Sequence, residues 1–257
     1  MIKRSLVEFG VVCLVLTWVP WAILGLTGTD VNEGVGSLVF ALAASGPSLA
    51  ALVMWLWRRE RRRVVRWSWR WPVAAVGFGA VAPFAACVLS GRLPELPGHA
   101  SSVVAGAGGV LGAAAYTFLA GPVSEEFGWR GYVQPRLREY FGPVGTTAVL
   151  GAVWGLWHVP LYFLPGTGQN DDGLFTSAGV TFFLELFPLT FLMLFVSEKL
   201  RGGVPGAILV HAAWNLTEEL VPPLGHAVWL ELLVMIVMAA ALLPSWTAVR
   251  PGRRVAR

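Results

Sequence analysis

The stretch "LVEFGVVCLVLTWVPWAILGLT", residues 6–27, contains one charged residue, Glu8. An apolar run of about twenty residues is long enough to cross the hydrocarbon core of a bilayer as a helix. Comparable runs recur along the chain, and they do not alternate apolar and polar residues as barrel strands would. Of the 257 residues, 56% are hydrophobic and 13% are charged. The sequence therefore predicts an all-α, polytopic transmembrane helix bundle rather than a soluble domain.

The apolar runs predict about eight membrane spans within one membrane domain, residues 1–257. The first span is interpreted as uncleaved, because its apolar stretch is longer than that of a signal peptide. Cys13 and Cys87 lie inside apolar runs and are interpreted as small packing residues. The predicted spans are residues 6–27, 35–57, 72–90, 102–126, 143–164, 177–197, 204–220 and 227–246.

The basic residues predict how the chain is oriented. Lys and Arg resist translocation and mark cytoplasmic connections. They occur on alternate connections, most densely in residues 58–70, whereas Arg92 is the one basic residue of the other connections. Both termini are therefore predicted to be cytoplasmic. The net charge of +4 is explained by this topology and by attraction to anionic membrane lipid, so nucleic acid is not a predicted partner.

Two adjacent glutamates stand out in "GPVSEEFGWRGY", residues 121–132. A charge at membrane depth costs about 2.5–3.5 kcal/mol on insertion scales, so it usually faces a partner or a wet cavity. Glu126 and Arg130 are spaced i,i+4 and are predicted to pair. Glu125 points elsewhere on the helix and needs another explanation. It is either a surface carboxylate beside a structural ion pair or a buried base.

Two histidines on other predicted spans bear on that choice. Trp154 and His158 in "WGLWH", and His211 and Asn215 in "HAAWN", are each spaced i,i+4 and lie on one helix face. With a rise of 1.5 Å per residue, both histidines lie about 10–20 Å from the cytoplasmic ends of their spans. We therefore expect them to meet Glu125 in the inner half of the membrane.

Small residues and prolines predict local packing. In "AGAGGVLGAAA", residues 105–115, Gly108 and Gly112 are spaced so that a continuous helix could approach a neighbour closely. Pro122 and Pro160 are expected to bend their helices, since proline lacks the amide donor of a helical turn.

The motifs "EEFGWR", "WGLWH" and "HAAWN" follow the patterns E-E-x-x-x-R, F-x-x-x-H and H-x-x-x-N, with Trp154 in place of the usual phenylalanine. In this order on successive helices they resemble the CAAX-protease and bacteriocin-processing (CPBP or Abi) family of intramembrane proteases. The resemblance covers residues 104–220, the expected protease-like core. It implies that Glu126 and Arg130 form a supporting pair and that Trp154 walls the site.

The same resemblance implies a chemical role for four residues. Glu125 would activate the attacking water with help from His158, while His211 and Asn215 would donate hydrogen bonds to the oxyanion. These roles suit peptide hydrolysis, which needs a base for water and donors for the developing negative charge. The expected substrate is a peptide or membrane-tethered protein, and the expected location is a bacterial plasma membrane.

The sequence leaves three alternatives open. Glu125, His158 and His211 would also suit a zinc ion with an open coordination position, although a scheme without an obligatory metal is favoured. The same residues would serve as a proton relay in a proton-coupled membrane transporter. A non-catalytic bacteriocin-immunity protein of the same fold is the third alternative.

Overall fold

The computed structural model describes residues 2–58 and 70–247. Helices account for 85% of the described residues and no strand occurs among them, which confirms the predicted all-α bundle. The basic segment 59–69 and the tail 248–257, on which the orientation argument partly depends, lie outside the described residues. The cytoplasmic placement of both termini therefore stays a prediction.

Fourteen α-helices form the described part of the chain, joined by short π-helical and 3-10 turns. The helices of 15 or more residues each begin within four residues of the start of a predicted span, as expected if backbone groups in an apolar run are satisfied within the segment. The helices are α1 (Ile2–Thr27), α2 (Gly34–Ala44), α3 (Gly46–Arg58), α4 (Arg70–Leu89), α5 (Leu96–Gly106), α6 (Val110–Phe118), α7 (Ser124–Gly128), α8 (Gln134–Leu137), α9 (Pro143–His158), α10 (Gly168–Asp172), α11 (Ser177–Leu194), α12 (Gly203–Leu220), α13 (Val228–Leu242) and α14 (Pro244–Thr247).

Five of the helical segments are long and apolar enough to cross a membrane, or up to seven if two bent pairs each count as one span. One bent pair joins α2 to α3 at 50°, and the other joins Leu93–Gly106 to Val110–Leu137 at 80°. The predicted spans 35–57 and 102–126 are therefore broken rather than continuous helices. The predicted span 204–220 forms α12, which is not among the segments that pass this length and hydropathy test. The count of eight spans stays a prediction.

The glycine-rich stretch near residue 108 does not form the continuous packing helix that its spacing predicted. Gly108 and Gly109 have φ angles of 78° and 100°, in the left-handed region. Glycine adopts these angles without steric cost and weakens a helix interior, so two in succession favour a break. The chain turns here between α5 and α6.

A second break lies at Pro122, where a bend was predicted. Ala120 and Gly121 have non-helical dihedral angles, with φ 155° and ψ −73° at Gly121. Proline disfavours helical geometry in the preceding residue and cannot donate a backbone hydrogen bond. The Ser124 hydroxyl donates a hydrogen bond to the Gly121 carbonyl oxygen at 2.9 Å. The Ser48 hydroxyl donates to the Val123 carbonyl oxygen at 3.0 Å. After this break, α7 turns two glutamates toward the protein interior.

Helix α12 lies at the centre of the bundle and packs most extensively against α4. At Gly79 of α4, a Cβ atom would lie only 2.3 Å from the Val210 carbonyl oxygen of α12. At Gly128 of α7, a Cβ atom would lie 2.4 Å from the Pro47 carbonyl oxygen of α3. The absence of a side chain at these two glycines therefore permits the close approach of α4 to α12 and of α7 to α3.

Candidate active site

Glu125 is buried at the start of α7, directly after the break at Pro122. The indole Nε1 of Trp154 on α9 donates a 2.6 Å hydrogen bond to Glu125 Oε2. The sequence left Glu125 without a partner on its own helix. The partner is the tryptophan that stands where the motif usually has phenylalanine, and its indole N–H supplies a donor that phenylalanine lacks.

Glu126 belongs to a different, fully buried network. Its Oε1 accepts hydrogen bonds from Arg130 Nη1 at 3.0 Å and from His211 Nδ1 at 2.8 Å. Arg130 Nη2 donates in turn to Thr190 Oγ1 at 3.1 Å. The ion pair with Arg130 is the one that the sequence spacing predicted, whereas neither Thr190 nor His211 was expected in it. These bonds join α7 and the turn after it to α11 and α12. Removing one partner would leave an uncompensated buried charge, so the network should stabilise this contact.

His158 lies at the C-terminal end of α9, just before a 3-10 turn that includes Pro160. Its Nδ1 lies 2.8 Å from the Trp154 carbonyl oxygen. A carbonyl oxygen can only accept, so Nδ1 carries the proton of the neutral ring and Nε2 keeps its lone pair. The rings of Trp157 and Phe182 pack edge-on against the imidazole, with centroids 4.8 and 5.1 Å away. His158 can therefore act as a proton acceptor in an apolar enclosure.

The Trp154 ring has contacts with four of the other candidate residues. Its centroid lies 5.7 Å from that of His158 and 5.3 Å from that of His211. The guanidinium carbon of Arg130 lies 4.2 Å from the ring centroid, within cation–π range. The resemblance implied only that Trp154 lines the site. Its indole N–H also donates a hydrogen bond to Glu125.

Three of the candidate residues converge beside Gly121, which the sequence analysis did not single out. A Cβ atom at Gly121 would lie 3.3 Å from Asn215 Nδ2, 3.4 Å from Glu125 Oε1 and 3.5 Å from His211 Cε1. The space left by the missing side chain is thus bordered by a carboxylate, an amide donor and an imidazole. His158 is not among the three nearest residues there, and its ring lies beside that of Trp154.

Metal-ligand geometry occurs elsewhere in the protein. Among the described residues, one group of three has ligand atoms within 4.8 Å of one another, and it consists of Glu185, Glu218 and Glu231. The zinc set predicted from the motifs, namely Glu125, His158 and His211, does not form such a group. The predicted zinc set therefore does not fit this arrangement.

Comparison with known proteins agrees with the motif order. Residues 107–217 match the model of the family described as "Type II CAAX prenyl endopeptidase Rce1-like". This segment includes every candidate residue of the site. The chain is also 29% identical over 131 residues to "CAAX prenyl protease 2" of Methanococcus maripaludis, an alignment that covers 50% of this chain and 48% of the relative. The match thus spans about half the length of that curated relative.

Proposed function

We propose that this protein is an intramembrane endopeptidase, because residues 107–217 match the model of the Rce1-like family of type II CAAX prenyl endopeptidases, in agreement with the motif resemblance. It hydrolyses a peptide bond in a membrane-tethered peptide or protein, close to the cytoplasmic membrane surface. The helices that are apolar enough to span a membrane support an integral membrane location. The relative from Methanococcus maripaludis is archaeal, and a bacterial plasma membrane stays a prediction.

One observation carries the proposal: Glu125 Oε1 faces the same small space as Asn215 Nδ2 and the His211 ring, beside Gly121. Peptide hydrolysis needs a base close to the attacking water and hydrogen-bond donors close to the carbonyl oxygen. A carboxylate and an amide donor that border one small space meet this requirement. Trp154 holds the other Glu125 oxygen, so Oε1 stays directed toward that space.

In the proposed reaction, Glu125 Oε1 takes a proton from water as the water oxygen bonds to the peptide carbonyl carbon. The electron pair of the carbonyl moves onto its oxygen, and Asn215 donates a hydrogen bond to this oxyanion. The carbon–nitrogen bond then breaks, and the proton passes from Glu125 to the leaving nitrogen. The products are a new carboxylic acid and a new amine. The family resemblance also assigns His158 an assisting role, for which its Nε2 lone pair is available.

The second proposed oxyanion donor is His211, whose ring borders the space beside Gly121. Its Nδ1 lies 2.8 Å from Glu126 Oε1, so Nε2 is the ring nitrogen left for the substrate. Arg130 donates to the same carboxylate oxygen of Glu126 and helps to fix its position. Glu126 and Arg130 therefore support the reaction without touching the substrate.

The names of the family and of the relative contain "CAAX prenyl endopeptidase" and "CAAX prenyl protease", which supports a membrane-associated protein or peptide as the substrate. We propose a membrane-tethered substrate for this chain and treat prenylation as the property to test. The family match favours an endopeptidase over the proton-coupled transporter. A non-catalytic immunity protein of the same fold is an outcome that the experiment distinguishes.

The test uses purified protein in detergent and two peptides of identical sequence, one farnesylated at a C-terminal CAAX cysteine and one acylated at its N-terminus. Mass spectrometry in ¹⁸O-labelled water identifies the products. We expect a single cut with ¹⁸O in the new carboxyl group. The exposed variant Glu139→Gln serves as a control that keeps this activity. Cleavage of neither peptide, by protein that is folded and intact, would contradict the proposal.

A further inference from the structure

Three glutamates from three helices meet away from the candidate active site. Glu185 comes from α11, Glu218 from the end of α12 and Glu231 from the first turn of α13. One carboxylate oxygen of each lies within 4.8 Å of the other two. Glu185 and Glu231 are almost fully buried, 4% and 2% exposed, whereas Glu218 is exposed. The cluster is therefore buried at Glu185 and Glu231 and accessible from outside at Glu218.

No basic group of the described residues is placed to balance the charge that these three carboxylates carry when ionised. Glu185 Oε1 is buried and has no hydrogen-bond partner among the described residues. Glu231 Oε1 accepts one hydrogen bond, from Trp214 Nε1 at 2.7 Å. Within the described ranges, the charged groups that act on these three carboxylates are themselves acidic. Burying an ionised carboxylate without a partner is strongly unfavourable unless the group is neutralised or binds a cation.

The geometry points to a divalent cation. We propose that Glu185, Glu218 and Glu231 bind one calcium-sized ion, which links α11, α12 and α13. Calcium takes oxygen ligands at 2.3–2.6 Å in flexible geometry, so three oxygens within 4.8 Å of one another can all reach one such ion. Magnesium demands near-ideal octahedral geometry and usually keeps several waters, so a site of three carboxylates from three helices suits it less well. Zinc sites use histidine or cysteine, and this cluster has neither.

The site is distinct from the protease-like motifs, and the inference does not depend on the proposed function. The proposed ion site nevertheless shares helix α12 with the candidate active site. His211 and Glu218 both lie on α12, seven residues or about 10 Å apart along the axis. The Trp214 ring between them hydrogen-bonds to Glu231, and its centroid lies 6.4 Å from that of His211. An ion held at Glu218 would therefore limit the movement of α12 beside the candidate active site.

The experiment measures ion binding by terbium luminescence, since Tb³⁺ occupies calcium sites and is excited by energy transfer from a nearby tryptophan. Trp214 is the adjacent donor. Purified protein in phosphate-free detergent is first treated with a chelator and then titrated with Tb³⁺. We expect a saturable signal that Ca²⁺ displaces and that Mg²⁺ displaces only at a concentration about tenfold higher or more. The unfolding temperature in detergent should rise with Ca²⁺ over the same concentration range.

Three variants decide whether the signal comes from this cluster. Glu185→Gln and Glu218→Gln should each weaken Tb³⁺ binding about tenfold or more, because affinity follows the ligand charge count. Glu218 is exposed, so its replacement tests the site even if a buried replacement fails to fold. Glu219→Gln, next to it and also exposed, is the matched control and should bind as the unaltered protein does.

Two outcomes would overturn the proposal. One is the absence of a saturable Tb³⁺ signal together with an unfolding temperature that Ca²⁺ does not change, which would mean that shared protons neutralise the cluster. The other is equal weakening by Glu219→Gln and Glu218→Gln, which would mean diffuse attraction to a negative surface.

Discussion

The indole nitrogen of Trp154 lies 2.6 Å from Oε2 of Glu125 and connects α9 to the start of α7. This hydrogen bond fixes one oxygen of a buried carboxylate and leaves the other, Oε1, beside Gly121. The sequence motif usually has phenylalanine at the position of Trp154. The donor is therefore a property of this chain, and it can be removed by restoring the more common residue.

Trp154→Phe should lower kcat about tenfold to a hundredfold and change KM little. The reason is that a hydrogen bond to a charged group contributes about 1.5–3 kcal/mol, and the aromatic packing is largely retained. Steady-state cleavage of the tethered peptide measures the effect. Trp129→Phe is the matched control, because the Trp129 indole nitrogen is buried without a hydrogen-bond partner among the described residues. Equal losses in both variants would show that bulk rather than the hydrogen bond matters.

Glu126→Gln should act mainly on stability. It removes the charge that Arg130 and His211 share, and breaking a buried ion pair typically costs about 3–5 kcal/mol. Thermal unfolding in detergent measures this change. Glu125→Gln should lower the unfolding temperature much less, because Glu125 has no ion pair among the described residues and Gln can still accept from Trp154. A larger destabilisation by Glu125→Gln would reverse the roles assigned to the two glutamates.

Gly121→Ala should abolish most activity. The new methyl group would lie 3.3–3.5 Å from Asn215, Glu125 and His211 and fill the space where substrate is expected. The φ angle of 155° adds backbone strain of roughly 1–3 kcal/mol. The control is Gly142→Ala, where φ is −65° and a Cβ would meet nothing within 4 Å. Near-normal kcat in a folded Gly121→Ala protein would place the substrate elsewhere.

Asn215→Ala should reduce kcat about a hundredfold to a thousandfold while KM stays similar, the usual effect of removing one oxyanion donor. Its side chain is half-buried, so the loss of stability should be small. Steady-state kinetics and thermal unfolding on the same preparation separate the two effects. An increase in KM without a fall in kcat would instead assign Asn215 to substrate binding.

Parts of this arrangement could be predicted from the sequence because they depend on local spacing. The i,i+4 spacing of Glu126 and Arg130 predicts their ion pair, and Pro122 predicts the nearby break. The class of fold follows from the apolar runs, since backbone groups in lipid must bond within each segment. Predictions of this kind need no knowledge of how helices rotate against each other.

Other parts depend on helix rotation and on backbone geometry, which apolar runs do not specify. Trp154 reaches Glu125 only because α9 presents that face to α7. The sequence does not predict which face this is, because α9 is apolar on most sides. The acidic cluster joins three helices for the same reason, and Glu185 gives no motif in its own segment. Gly108 and Gly109 could be assigned either to close packing or to a break, because glycine favours both. The structure has the break.

The most direct test of the account compares Glu125→Gln with Glu139→Gln in cleavage of the tethered peptide that the unaltered protein cuts. Gln keeps the size of Glu125 but cannot take a proton from water, and general base catalysis usually contributes about a hundredfold to ten-thousandfold. We predict a loss of kcat/KM in that range for Glu125→Gln, with an unfolding temperature close to that of the unaltered protein and full activity in Glu139→Gln. Equal cleavage by both variants would contradict the assignment of Glu125 as the base.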